Sequence, residues 1–304
     1  MLTTETFTSV TATHVKFDIY LPTVMIRYKA IVQIHHAMSE YSDRYKKFAE
    51  YLAHEGYVVV VSDFPGHGTS LYNFEQGYFG AGDATKTLVE DMHRLRNIMA
   101  ARYPELPYFM IGNQFGSLVL RQYLAKYGDF VQGVVLMGTC GKQHFIRLKK
   151  LIIKGDALIK GNMHRSNTIS KNIINKLLSE DKNANYQTGD DRELKLYLED
   201  PFTGFIYTNN AYRQIFDIIK NVSLNENIKK IPNYVSMLIV SGIKDPFGKF
   251  GIGPTWLYET LKAQGQKDIT LKLYKDSHND LLHDKQRLEI YQDILDWLNN
   301  RTYV

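Results

Sequence analysis

The sequence predicts an α/β protein: a mostly parallel eight-stranded sheet with helices on both faces and a helical cap inserted after the sixth strand. Three observations predict it. Short runs such as 57–62 and 131–137 are apolar on both faces, which suits strands covered from both sides. Segments with a helical apolar period separate these runs, as parallel crossovers require. The alternation stops near residue 142 and resumes near residue 231.

Residues 6–11 and 14–21 alternate polar and apolar and carry many β-branched side chains, so they predict an opening antiparallel pair. Residues 30–34 suit a central strand. Ser42 or Asp43 is placed to cap a helix whose apolar residues are Tyr45, Phe48, Ala49 and Leu52, with Gly56 ending it. A strand over 57–62 ends at Asp63. Leu88, Met92, Leu95, Met99 and Tyr103 mark one face of a long helix. A strand over 108–111 ends at Gly112, a helix begins over 118–124, and 131–137 is again a strand. After the break come strands at 235–240 and 269–274 and a helix at 256–263. Leu288, Tyr291, Leu295 and Leu298 mark a closing helix. The core is therefore assigned to 1–141 and 231–304, and the cap to 142–230.

The totals exclude several classes. A chain of 304 residues, 44% apolar, can build one large core with an insertion. A net charge of +5 is mild and does not call for nucleic acid. The single cysteine, Cys140, allows no intrachain disulfide and suits a reducing compartment. The first residues lack a basic start followed by an apolar run, and no apolar stretch is long enough to span a bilayer. A cytoplasmic location is the expectation.

Reactive groups of a parallel α/β sheet gather at the carboxyl ends of its strands. After 108–111 comes Gly112-Asn113-Gln114-Phe115-Gly116, a strand–turn–helix bend of the nucleophile-elbow type. Its two glycines let strand and helix backbones pass closely. After 235–240 comes Asp245, and after 269–274 comes His278. The chain order is elbow, acid, histidine. After 30–34 comes His35-His36-Ala37-Met38, placed to give a backbone N–H to an oxyanion hole.

These motifs resemble the bacterial lysophospholipase and monoacylglycerol lipase family of the α/β-hydrolase fold. His36-Ala37-Met38-Ser39-Glu40 with Arg44-Tyr45 resembles its HGMAE…RY segment. Asp63-Phe64-Pro65-Gly66-His67-Gly68-Thr69-Ser70 resembles its D-x-x-GHG-x-S segment, and Asp200–Phe205 a segment of its cap. The resemblance implies hydrolysis of a single-acyl lipid ester with no cofactor. It implies Asp245 and His278 as triad acid and base, hydrogen-bonded to each other. It implies an oxyanion hole from Met38 and Phe115, with His36, Ala37, Gly112, Gly116 and His67 in support.

The departures matter as much. The family elbow GHSMG here reads Gly112-Asn113-Gln114-Phe115-Gly116, so Gln114 stands where the serine belongs, and the glycine of HG is Ala37. A carboxamide has no proton to yield near neutral pH and a delocalised nitrogen lone pair, so it is no nucleophile. The expectation is a protein that binds an acyl-type or small apolar ligand without serine-hydrolase turnover. The alternative is an active ester hydrolase using another nucleophile, with Cys140 at the correct sheet edge and Ser117 weighed as a buried helix residue. A role in interaction alone, through the basic cap, is a third reading.

Two further patterns have ordinary explanations. His35 with His36, and His278 with His283, Asp280 and Asp284, match no common zinc spacing, so no metal is expected. From Lys142 to Lys176 nine basic residues face one acid, Asp156. Within it Phe145, Ile146, Leu148, Leu151, Ile152 and Ile153 mix with Arg147, Lys149, Lys150 and Lys154. The expectation is a solvated cap helix with one buried face; the alternative is peripheral contact with an anionic membrane.

Overall fold

The computed structural model describes residues 1–23, 27–73, 75–143, 145–174 and 187–302. Its strands are β1 (Leu2–Thr8), β2 (His14–Tyr20), β3 (Ile31–His35), β4 (Val58–Ser62), β5 (Tyr108–Asn113), β6 (Gly133–Met137), β7 (Ser236–Gly242) and β8 (Ile269–Tyr274). They form one eight-stranded sheet in the order β1-β2-β4-β3-β5-β6-β7-β8. β1 and β2 pair antiparallel, as does β2 with β4; every later pairing is parallel. The central strands β3, β4, β5 and β6 are buried at every residue. That is why they read as continuous apolar runs rather than alternating ones.

Two helical layers cover the sheet. On one face lie α1 (Lys46–His54) and the closing helix α8 (Arg287–Thr302); on the other lie α2 (Ala84–Arg102) and α3 (Phe115–Tyr127). α1 is entered through a 3-10 turn over Ser42–Tyr45, so neither Ser42 nor Asp43 caps it; Ser42 N–H instead donates to Asp63 and Asp43 pairs with Lys16. α2 takes its cap from Asp83, whose carboxylate accepts from the N–H groups of Thr85 and Lys86. In α8 the buried face is Ile290, Tyr291, Ile294, Leu295, Trp297 and Leu298, while Leu288 faces solvent.

Between β6 and β7 the described residues hold α4 (Ile146–Lys160), α5 (Asp191–Glu199) and α6 (Asn209–Asn221), and no strand. Part of the basic stretch, including Lys176, falls outside the described residues. α6 buries Tyr212, Ile215, Phe216, Ile218 and Ile219, and these join one apolar cluster with Leu118 of α3 and Leu88 of α2. α7 (Ile252–Ala263) follows β7. No described helix is long and apolar enough to cross a membrane.

The crossing of β3, β5 and α3 places the elbow. A Cβ on Gly112 would lie 2.6 Å from the Gly116 carbonyl oxygen, and one on Gly116 would lie 2.5 Å from the carbonyl oxygen of His35. Both obstacles are backbone, so neither can rotate away. Gly116→Ala should therefore destabilise the protein by about 1–3 kcal/mol, the usual cost of an overpacked methyl. Urea unfolding measures this, and an unchanged midpoint would show that the crossing is looser than described.

Candidate functional site

β5 ends in a sharp bend whose tip is Gln114. Its φ of 43° and ψ of −101° lie outside the conformations that L residues favour. The bend is fastened on both sides. Gln114 N–H donates to the carbonyl of Met137 (2.8 Å), and Gly116 N–H donates to that of His36 (3.1 Å). Ser117 is fully buried, and its hydroxyl donates to the Gln114 carbonyl rather than facing the site. Phe115, first residue of α3, is buried with its ring against Phe64 and Phe79.

The loop after β3 presents three successive N–H groups, and each meets a side-chain acceptor. Ala37 N–H donates to Glu40 Oε1 (2.7 Å), Met38 N–H to Gln114 Oε1 (3.0 Å), and Ser39 N–H to Tyr207 Oη (2.8 Å). Glu40 also takes the Tyr45 hydroxyl and Arg44 Nε. Arg44 reaches on to Asp280, and Asp280 to His283. Burial opposes it, yet His283 and Arg44 pull the Asp280 carboxyl down to about 2. A buried hydrogen-bonded chain thus ties the β3 loop to the loop after β8.

The supporting histidines are neutral and have assignable tautomers. His36 Nδ1–H donates to the Ala37 carbonyl (2.7 Å), and its Nε2 accepts from Phe64 N–H (2.9 Å). His67 Nδ1–H donates to the Pro65 carbonyl (3.1 Å), leaving Nε2 to accept from the Tyr207 hydroxyl (2.7 Å). Burial holds His36 well below the ordinary histidine range and lowers His67 to about 4. Residues 203–207 strap the same loop. Gly204 N–H donates to the Ser39 carbonyl (2.8 Å), and Ser39 Oγ donates to that of Phe205 (3.1 Å).

The expected Asp245–His278 bond is not formed. His278 Nδ1 and N–H both point to Asp284 Oδ2 (3.0 and 2.6 Å). Its ring lies under Gly189, where an added Cβ would come within 2.9 Å of His278 Cε1. The side chain that reaches the elbow is the next one, Asn279. Gln114 Nε2 donates to Asn279 Oδ1 (3.3 Å), and Asn279 Nδ2 donates to Asp245 Oδ1 (3.0 Å). Neighbouring residues of a non-helical segment send their side chains in different directions, so a one-residue offset decides which of them faces the site. The expectation for His278 is corrected on that ground.

Gln114 and Asn279 are each 2% exposed and Asp245 is fully buried. Burial pushes the Asp245 carboxyl up to about 6, against the bonds from Asn279 and Phe247 N–H that favour its ionised form. Its Oδ2 has no hydrogen-bond partner among the described residues. Cys140 is fully buried, and burial pushes its thiol up to about 11, so it is a thiol and not a thiolate at neutral pH. Among the described residues no group of three or more His, Cys, Asp or Glu is arranged to hold a metal ion.

Sequence reasoning missed Asn279 and Tyr207. Tyr207 lies three residues past Gly204, in a segment that carried no chemical signal of its own. Asn279 directly follows His278 in the sequence, and histidine is the residue type that the elbow–acid–histidine order points to.

Known proteins share this architecture. Residues 27–286 match the family described as serine aminopeptidase, S33. The chain is 30% identical over 118 residues to "Phospholipase YtpA" of Bacillus subtilis, a match covering 36% of this chain and 40% of that one. The match to that relative therefore spans less than half its length. It is 22% identical over 272 residues to the monoglyceride lipase of Rattus norvegicus, covering 89% of this chain and 81% of that protein. The crystal structure of a thermostable carboxyl esterase from Bacillus coagulans superposes with a TM-score of 0.87 at 25% identity, covering 99% of both chains. The eight-stranded sheet, the elbow and the matched span agree: this chain is a member of the serine aminopeptidase S33 family of α/β-hydrolase-fold proteins.

Proposed function

We propose that this protein binds a single-acyl lipid, such as a lysophospholipid or monoacylglycerol, or another small apolar ligand, without hydrolysing it by a serine route. One observation carries the reading. The elbow tip holds a carboxamide whose oxygen already takes the Met38 N–H at 3.0 Å. In an acyl-transfer site that N–H would be kept for the oxygen of the reacting carbonyl. Here the side chain at the tip supplies a carbonyl oxygen of its own and no nucleophile. Removing the serine of a protease triad lowers turnover by about 2 × 10⁶-fold.

The rival reading, an active ester hydrolase working through Cys140, has less support. The thiol is fully buried and raised to about 11, and no hydrogen bond among the described residues joins it to a histidine.

The lipid class finds support in α4. Of the six apolar residues noted there, only Ile146 and Ile153 are buried. Phe145, Leu148, Leu151 and Ile152 face solvent, and Leu158 and Ile159 continue the stripe at 78% and 84% exposure. Arg147 and Lys154 are exposed along its edge. An apolar stripe rimmed by cations suits the interface of an anionic membrane, with each basic residue near such a surface adding about 1 kcal/mol. The names of two relatives, the Bacillus subtilis phospholipase and the rat monoglyceride lipase, support that ligand class.

Two outcomes are expected. Wild-type protein mixed with a lysophospholipid should bind it, as read by intrinsic tryptophan fluorescence, and mass spectrometry should recover the lipid intact; brisk release of fatty acid would contradict the reading. In pelleting assays the protein should partition onto phosphatidylserine-containing vesicles more than onto phosphatidylcholine vesicles, and Leu151→Glu/Ile152→Glu should reduce that binding several-fold. Equal binding to both vesicle types would end the membrane assignment.

A further inference from the structure

We infer that Asn279 stands in the place of the general base, so that the site has lost its proton acceptor as well as its nucleophile. The inference deepens the non-hydrolytic reading above and rests on it. It turns on one juxtaposition. The Asn279 carboxamide lies between the elbow tip and the buried acid, bonded to Gln114 Nε2 on one side and Asp245 Oδ1 on the other. A base that serves an elbow nucleophile must touch these same two partners: the nucleophile through one nitrogen and the orienting acid through the other. In Asn279 the amide oxygen and nitrogen fill those two roles. The oxygen accepts from the elbow and the nitrogen donates to the acid.

The three bonds run in one sense. Met38 N–H gives to Gln114 oxygen, Gln114 nitrogen gives to Asn279 oxygen, and Asn279 nitrogen gives to Asp245. A primary amide offers both a donor and an acceptor, so two amides in series bridge an N–H donor and a carboxyl acceptor with neither misdirected. A serine beside Asn279 would meet only an amide oxygen that does not take a proton at neutral pH. The two amides therefore form a matched pair. They join four loops, those after β3, β5, β7 and β8, through side chains that are almost wholly buried.

His278 does not supply the missing base. Its Nδ1 and backbone N–H are both engaged by Asp284, and Gly189 closes over its ring. Gly189 N–H itself donates to the other Asp284 oxygen (2.9 Å), so segment, acid and histidine form one clasp. Turning the imidazole to the elbow would break that clasp and leave a fully buried carboxylate, Asp284, short of a partner.

The test compares Gln114→Ser, Asn279→His and the double variant. In the double variant the introduced hydroxyl oxygen attacks the ester carbonyl while the introduced imidazole takes its proton. With a 4-nitrophenyl ester the acyl C–O bond breaks, 4-nitrophenoxide departs with the imidazolium proton available to it, and the butyryl-enzyme left behind is hydrolysed by water. With 4-nitrophenyl butyrate, Gln114→Ser and Asn279→His alone should stay near background. The double variant should exceed Gln114→Ser in kcat/KM by about 10²-fold or more, the usual worth of a general base, and should label with a fluorophosphonate. Adding His278→Asn to the double variant, which keeps an N–H donor beside the buried Asp284, should leave its activity intact. Equal activity from Gln114→Ser alone, loss of activity with His278→Asn in a variant that stays folded, or a folded double variant that does not label would each overturn the inference. If the double variant does not fold, an unfolding cycle of Gln114→Ala and Asn279→Ala decides it. Effects on the unfolding equilibrium should be coupled three-fold or more, and strictly additive effects would overturn it. These results do not depend on lipid binding, so a failure of the proposed ligand is told apart from a failure here.

Discussion

The hydrogen bond from Met38 N–H to the Gln114 side-chain oxygen organises the whole site. It joins the first crossover loop to the elbow and does so from inside the protein, where an unmet N–H would cost about 1–3 kcal/mol. Around it the flanking N–H groups of the same loop are held by Glu40 and Tyr207, which are themselves anchored through Arg44, Asp280 and His67. A ligand carbonyl that sought the Met38 N–H would have to displace a side chain already bonded at both ends. The three N–H groups of the β3 loop are thus satisfied from within the protein.

That internal bonding of the elbow has a structural consequence. The sheet and the glycine-lined crossing force a strained backbone at residue 114, and such strain persists when the surroundings over-determine it. Here they do so with the residue's own side chain. Both ends of its amide are bonded, one into the β3 loop and one through Asn279 to the buried Asp245. The scaffold of a reactive bend is kept, while its functional groups serve cohesion between loops.

Much of this was legible in the sequence. The eight-strand order of elements follows from apolar runs alternating with helical periods, and 269–274 coincides with β8. The elbow was legible because two glycines four apart between strand and helix have few other uses. Three things were not. Whether His278 or Asn279 faces the site depends on the direction of one backbone step in a loop, which no periodicity encodes. The outward stripe of α4 was hidden because a helical apolar pattern looks the same whether it faces a core or solvent; only the packing of Ile146 and Ile153 shows which residues are covered. Cys140 lies near the correct edge, but burial, which sets its chemistry, is a tertiary property.

The central claim is that residue 114 offers no attacking oxygen and that no other group in the site takes over. Treating the purified wild-type protein with a fluorophosphonate and weighing the intact chain tests it most directly. The account predicts an unmodified mass. A stoichiometric phosphonate adduct on any serine would contradict it.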